Sequence, residues 1–367
     1  MQFDFFPSKS LTFYLGRLFI ARILAVLVML VLVLMMLDLL AKSGDILAVA
    51  GNGQGELLTY AGLRIPQLIQ RFVPYAVLLA TIITLVALNQ NSEVIAMKAA
   101  GLSAHQVLAP LLLTAGIVSV ASFAFNERIV TRATATLKAW EAAEFGPVPE
   151  AGASTIRANV YLTDGTNVLT ATNVTGIGEN TVMSDVTWYE RRPGGMISQR
   201  SRAEKATYAN PGWKLENVEQ FDVGRADTKT LESLTVGEGL TLDQIELETV
   251  DPDAEDFFTL SRSIDAYEAA GRRTSELRAK WWHKISGPLS AFLMPLLGAV
   301  AAFGLARSGQ LFLRAIIGMA LGFAYFVVDN AALAMGSFGG YPPFLAAWGP
   351  FLLFLLIGET VLVRTEE

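Results

Sequence analysis

Long apolar runs alternate with polar stretches along this chain, and six of the runs approach the roughly 20 residues a helix needs to cross the hydrocarbon of a bilayer. They occupy 18–40, 72–88, 107–125, 285–306, 315–335 and 344–363. The fourth is free of charge from end to end, and its Pro288 and Pro295 predict kinks that neighbouring helices or water must accommodate. After 125 the pattern becomes that of an amphipathic helix through Glu141 and Glu144, predicted to stop at Gly146, Pro147 and Pro149. Short segments rich in Val, Thr, Tyr and Trp come next, at 159–162, 167–171, 187–190, 206–208 and 213–217, broken by Asp-Gly, Pro-Gly and Asn-Pro-Gly turns. Such segments predict an antiparallel sandwich or open roll. The helical period returns over 256–270, and 272–284 leads into the fourth apolar run.

Charge sharpens this division. The chain has 367 residues, 52% of them hydrophobic and only 17% charged, too apolar for an ordinary soluble protein of that length. Most of the charge lies between Glu127 and Lys284, so two solvents are implied, lipid for the runs and water for the middle. The acidic excess behind the net charge of −6 belongs almost wholly to that middle stretch, which argues against a nucleic-acid partner. The expected organisation is three transmembrane helices in 1–126, a water-exposed β-domain with helical connections in 127–284, and three more transmembrane helices in 285–367. Lys9, Arg17 and Arg22 stand ahead of the apolar stretch that begins at 23, as in a signal peptide, but Asp38 and Lys42 follow without a small-x-small cleavage site, so an uncleaved first helix is expected.

Orientation is read from basic flanks. With the N-terminus inside, Lys9, Arg17, Arg22, Lys98, Arg307, Arg314 and Arg364 fall on the cytoplasmic side, against Lys42, Arg64 and Arg71 in the first external loop. Both termini are then cytoplasmic, and the β-domain lies outside, in the periplasm of a cell with two membranes.

The chemistry of the chain is sparse. It contains no cysteine, hence no disulfide, thiolate metal site or thiol nucleophile. No phosphate-binding glycine loop ending in Lys-Ser or Lys-Thr is present, no G-x-S-x-G elbow either, and His105 and His283 are too isolated in sequence to suggest a metal pair. This chain alone is not expected to hydrolyse ATP. The informative segment is 89–101, between the second and third runs, which predicts a short helix on the cytoplasmic face. Asn91 or Ser92 is placed to satisfy its first amides, Glu93 its positive end, Lys98 its negative end, and Gly101 a left-handed stop.

Residues 91–101, Asn-Ser-Glu-Val-Ile-Ala-Met-Lys-Ala-Ala-Gly, closely resemble the signature of the LptF/LptG permeases, also called the YjgP/YjgQ family, of the lipopolysaccharide-export machine. The resemblance covers the whole chain. It extends to Asp38 with Lys42, to 240–241 through 251–253, to Trp282-His283-Lys284 with Gly287-Pro288-Leu289-Ser290, and to Val328-Asp329-Asn330 followed by Gly340-Tyr341-Pro342-Pro343. The last groups are more similar to the LptG branch. The resemblance implies an α-helical membrane protein with six transmembrane helices plus a periplasmic antiparallel β-jellyroll domain between spans three and four. It further implies a permease subunit that pairs with an LptF-like permease as a heterodimer on an LptB-like ATPase dimer. Such a permease extracts lipopolysaccharide from the inner membrane and passes it through its jellyroll to LptC- and LptA-like bridge proteins. No cofactor would be bound by this chain, ATP and magnesium belonging to the partner ATPase.

On that resemblance Glu93 is the coupling-helix carboxylate that meets the ATPase, with Val94, Ile95, Met97 and Lys98 filling or edging its groove, and spans one and five line the lateral gate. A substrate with phosphates and several acyl chains calls for an apolar cavity with cations at its outer rim. Lys42 matches a basic position of LptG, whereas Met35 and Ala41 stand where the family can have lysine. Arg64, Arg71, Arg128, Arg132 and Lys138 are further lipopolysaccharide-contacting candidates by location. Asp329, an acid inside span five, is a gate candidate or a structural hydrogen-bonding group. The competing reading is a mechanotransmission or sensor subunit whose outer domain binds a protein without carrying lipid. A membrane-embedded lipid enzyme is disfavoured, because acids, histidines and nucleophiles do not cluster near one bilayer face.

Overall fold

The computed structural model describes residues 6–147, 157–175, 180–192, 195–240, 250–269, 272–303 and 311–364. The expected stop at Pro149, the basic flank at Arg307 and the 241–249 part of the family motif lie outside the described residues. The chain divides into two compact units, one of Met1–Lys42, Leu58–Ala133 and Asp256–Glu367, the other of Ser43–Leu57 and Thr134–Glu255.

The first unit is helical. It draws on α1 (Lys9–Leu47), α2 (Gln54–Gln90), α3 (Glu93–Ala99) and α4 (Ala104–Phe125), then on α6 (Phe257–Ala269), α7 (Ser275–Phe303), α8 (Leu311–Ser337) and α9 (Pro343–Arg364). Five helical stretches among the described residues are long and apolar enough to cross a membrane. The fourth expected span lies in α7, whose last side chains fall outside the described residues. Several helices outrun their apolar runs. The 39 residues of α1 continue past the lipid-length segment because 41–47 hold no proline and a single glycine, Gly44, is tolerated, and the chain turns only where Gly51 takes a left-handed φ of 99°. Asp256 starts α6, its Oδ1 accepting from the amides of Phe258 at 3.0 Å and Thr259 at 2.9 Å.

Leu15, Phe19 and Ile23 of α1 lie in one buried cluster with Val77 and Leu85 of α2, Leu108 and Leu111 of α4, Met294 and Leu297 of α7, and Phe354 of α9. Close approach of helices in lipid depends on small residues. A Cβ on Gly298 of α7 would stand 2.7 Å from Thr81 Cγ2 on α2, so only glycine lets these two helices meet there.

Beyond α4 the helix passes through a π-helical segment, Asn126–Val130, into α5 (Thr131–Ala142). In the second unit, the buried Trp140 donates its indole N–H to the Gly146 carbonyl at 2.7 Å and closes the end of α5. Six strands come next: β1 (Arg157–Thr163), β2 (Val168–Thr175), β3 (Val182–Arg191), β4 (Ile197–Tyr208), β5 (Trp213–Asp222) and β6 (Asp227–Val236). They pair in sequence order as one antiparallel sheet, the open-roll form of the expected jellyroll-like domain. Five of them overlap and lengthen the segments expected from sequence. The sixth was not foreseen, because Asp227–Val236 alternates little and is exposed along most of its length.

The sheet has a crease. In a regular strand, inward side chains recur every second residue. Here the inward residues step by three at one place, from Ala171 to Val174, Met183 to Val186, Ala203 to Ala206 and Leu215 to Val218. Among the residues passed over, Thr172, Asp185, Glu204 and Asn217 form one row that the backbone positions 159 and 232 continue to the outer strands, and each falls in a gap of the pairing ladder. Asp185 and Asn217 take left-handed φ of 49° and 54° there. A one-residue step of this kind bends the strand and re-aims the side chains beyond it. Side chains on both sides of the row therefore reach one apolar interior, filled by Leu169, Val186, Trp188, Trp213 and Leu215 among others.

Candidate functional site

The segment singled out by sequence forms α3, held between the end of α2 and the start of α4. Its start differs from expectation. Ser92 lies in the left-handed region, at φ 60°, and makes no side-chain cap. Asn91 instead donates Nδ2–H to Glu93 Oε1 at 3.3 Å, and the Tyr14 hydroxyl donates to Glu93 Oε2 at 3.3 Å. The stop is as expected. Gly101 has φ 89°, its amide bonds the Lys98 carbonyl at 2.9 Å, and the Leu102 amide bonds that of Met97 at 3.1 Å. Ser103 and Gln106 then close a reciprocal capping box on α4, at 3.2 and 3.0 Å. Because these bonds fix the short turn from Ala99 to Ala104, α3 has little freedom to pivot against α4.

The five residues assigned to this helix divide. Val94 and Met97, one turn apart, are buried in the core of the helical unit, so they anchor α3 rather than face outward. Ile95, 58% exposed, and Lys98 lie on the outer side, and Glu93 is half-buried between.

At the far end of α1, Asp38 accepts from the Tyr60 hydroxyl at 2.7 Å and from Arg64 through Nε at 3.1 Å and Nη2 at 3.2 Å. Arg64 also donates Nη1–H to Gln67 Oε1 at 2.8 Å. The four side chains share one network, and the Arg64 fork is taken up by Asp38 within it. Lys42 stands one turn further along α1 and is half-buried. Arg71, Arg128 and Arg132 are exposed on the helical unit. Lys138 belongs to the other unit, where its ammonium pairs with Asp251. The sequence-derived set of cations is thus dispersed over two units, and Lys138 and Arg64 are each committed to an aspartate.

Asp329 is 7% exposed, and its Oδ2 lies 3.0 Å from His283 Nε2, linking α8 to α7. Its Oδ1 has no hydrogen-bond partner among the described residues. At another position His105 Nε2 of α4 lies 3.3 Å from Glu359 Oε2 of α9. Both histidines of the chain are therefore matched to the two acids of the later spans. Sequence reading passed over these pairs because 46 and 254 residues separate the partners. The signal available was the rule that a polar group inside an apolar span must find a partner. A third bridge, Lys284 to Glu127 at 3.9 Å, joins α7 to the π-helical segment, and Glu127 also accepts from the Phe257 amide at the start of α6. Among the described residues no three histidine or carboxylate side chains converge as a metal site requires. This unit offers a set of polar clasps between helices and a braced, outward-facing short helix.

The family described as lipopolysaccharide export system permease LptF/LptG matches the chain over residues 13–364. Curated relatives include the lipopolysaccharide export system permease protein LptG of Escherichia coli, 27% identical over 365 residues that cover 98% of this chain and 99% of the relative. The protein of the same description from Haemophilus influenzae is 25% identical over 368 residues, again covering 98% and 99%.

Proposed function

The chain belongs to the LptF/LptG family of lipopolysaccharide export system permeases, and on that premise we propose that it is the membrane-spanning subunit of an ABC transporter that draws lipopolysaccharide from the inner membrane and hands it, through its β-domain, to a trans-periplasmic bridge. It is a multi-pass inner-membrane protein and a transport subunit. In the proposed assembly it pairs with an LptF-like permease on an LptB-like ATPase dimer, which supplies ATP hydrolysis with its own magnesium, and LptC- and LptA-like proteins receive the lipid. Both termini and α3 face the cytoplasm, and the sheet faces the periplasm.

The observation that carries this reading is the construction of α3. Val94 and Met97 root it in the helical core while Ile95 and Lys98 stay outside. A push delivered to the outer face is transmitted to α2 and α4 because the rooted face cannot slide without opening packed contacts. ATP-driven closure of the motor then squeezes the lateral cavity between α1, α8 and the partner permease. Lys42 serves at the outer rim as a phosphate contact, and Asp329 with His283 holds α8 against α7 as the gate moves.

The test uses the full chain reconstituted with partner permease and ATPase in vesicles. Glu93→Ala and Ile95→Asp are expected to insert normally but to lose ATP-driven lipid release. Release at the unaltered rate in both variants refutes the coupling role. Lys42→Glu is expected to weaken crosslinking to lipopolysaccharide, and undiminished crosslinking removes Lys42 from the path.

A further inference from the structure

The outward face of the sheet carries a groove of about 260 Å³ built from β1 to β4. Its cause is a contrast in side-chain length. Strand register places Tyr161, Thr170, Thr187 and Arg202 in one row across four strands, so two short threonines lie between two long residues and the row dips in the middle. Tyr189 and Arg200, cross-strand partners in the next positions, raise a second wall. Thr172 and Asp185, both on the crease, close one end.

The charges in the groove are fixed unevenly. Arg202 donates to Asp185 Oδ1 through Nε at 3.1 Å and Nη2 at 3.0 Å, and the Thr172 hydroxyl donates to Oδ2 at 3.1 Å. These bonds, the Arg202 contact first, hold the Asp185 carboxyl below the usual aspartate range, so this pair stays ionised and neutralises itself. Arg200 has no ion-pair partner among the described residues. The groove therefore has one uncommitted guanidinium above a floor of hydroxyl groups, with two phenol rings at its sides. Tyr161 is 59% exposed, which leaves a flat ring face available.

A lining of hydroxyls and charge, with aromatic faces as its apolar part, selects against a greasy ligand. It fits one that is polar around its edge, flat on its C–H face and negatively charged. Guanidinium groups bind carboxylate and phosphate through paired N–H bonds, and threonine hydroxyls both donate and accept. The volume lies below the range of drug-sized sites and suits one or two rings. We propose that this groove binds an anionic sugar, a pyranose bearing phosphate, with Arg200 on the phosphate, Tyr161 and Tyr189 against the ring, and Thr170 and Thr187 bonding its hydroxyls. Resting on the export reading, the proposal makes this sugar the saccharide part of the exported lipid, steadied on the outside of the sheet.

The experiment titrates the full chain in nanodiscs with deacylated, phosphorylated core oligosaccharide and with the same oligosaccharide after phosphatase treatment, read by saturation-transfer NMR and calorimetry. The phosphorylated form is expected to bind at least about tenfold more tightly, the size of one lost charge-assisted contact. Arg200→Glu and Tyr161→Ala are expected to abolish or weaken binding by a similar factor, and Arg200→Lys to keep part of it. Unfolding of the sheet unit is followed in each variant; if Arg200→Glu unfolds it, the neutral Arg200→Gln decides. Equal binding of both oligosaccharides, or wild-type affinity in Arg200→Gln, overturns the site. Displacement of the oligosaccharide by intact lipopolysaccharide supports the lipid as its source, and failure to displace it overturns that assignment. The export reading fails independently, by absence of ATP-driven lipid release, a result that leaves oligosaccharide binding unchanged.

Discussion

In the helical unit Leu24, Met36 and Leu40 stand outside while Asp329, Lys284 and Ser119 are buried; in the sheet unit Arg202, Lys205 and Glu219 stand outside while Leu169, Trp188 and Trp213 are buried. The two arrangements are nearly inverse, and the difference is one of solvent. Against lipid, an exposed leucine loses nothing, and the hydrophobic effect does not hold helix to helix. Cohesion there comes from close packing at residues such as Gly298 and from polar clasps such as His283 with Asp329. Against water, the sheet is held by apolar burial, and its surface ion pairs matter little to stability. The same type of residue thus has opposite weight in the two units.

The contrast is most strongly tested by removing apolar bulk. Trp213→Ala is expected to destabilise the sheet unit by about 3–5 kcal/mol, since that indole is wholly buried. Denaturant unfolding of the full chain in detergent, followed by proteolysis of the 134–255 region, measures it. Exposed Leu40→Ala on α1 is expected to change the stability of the helical unit by under about 0.5 kcal/mol, and a larger loss breaks the comparison.

Next in size is Gly298→Val. The new side chain would press on Thr81, and a cost of about 1–3 kcal/mol is expected, read as a lowered midpoint of thermal aggregation in micelles. Asp329→Ala should rank after it at about 1 kcal/mol, within the span of measured interhelical hydrogen bonds in lipid. Asp329→Asn should retain part of that, and a double cycle with His283→Gln isolates the pair.

The smallest effect belongs to the outer face of the sheet. Arg202→Ala is expected to cost no more than about 0.5 kcal/mol, because both partners are largely exposed. It has a pH signature. Asp185 is held below its ordinary value of 3.8, so its contribution is complete above that value and is lost as pH falls through the lower folded value. The wild type and Arg202→Ala should therefore differ slightly at pH 7 and converge in acid. A gap that widens on acidification contradicts the assignment.

The spans were legible because length and apolarity suffice to mark them, whatever their neighbours do. Five of the strands were legible from their β-branched and aromatic content, whereas Asp227–Val236 was hidden because it is polar and exposed along most of its length, with only Leu231, Leu234 and Val236 turned to the interior. The crease was not legible, since a three-residue step in one strand reads as noise until the strands beside it are seen to repeat it. For α3 the glycine stop could be read from Gly101, because left-handed φ has few occupants. The start could not, as Ser92 itself took the left-handed turn and gave up its capping role. Which of its residues face inward depends on the partner helices, so Val94 and Met97 looked like docking residues until the core around them was seen. The histidine clasps depend on long-range packing that no local spacing encodes.

The row from Asn159 to Glu232 spans the whole sheet, and it sets a condition on any polypeptide that would extend the sheet. A visiting strand laid along β1 or β6 must carry its own odd step at the matching position, or its apolar side chains would switch to the wet side halfway along. That spacing amounts to a grammar: two alternating stretches offset by a single residue. Guests can be sorted by it from sequence alone, before any of them is purified.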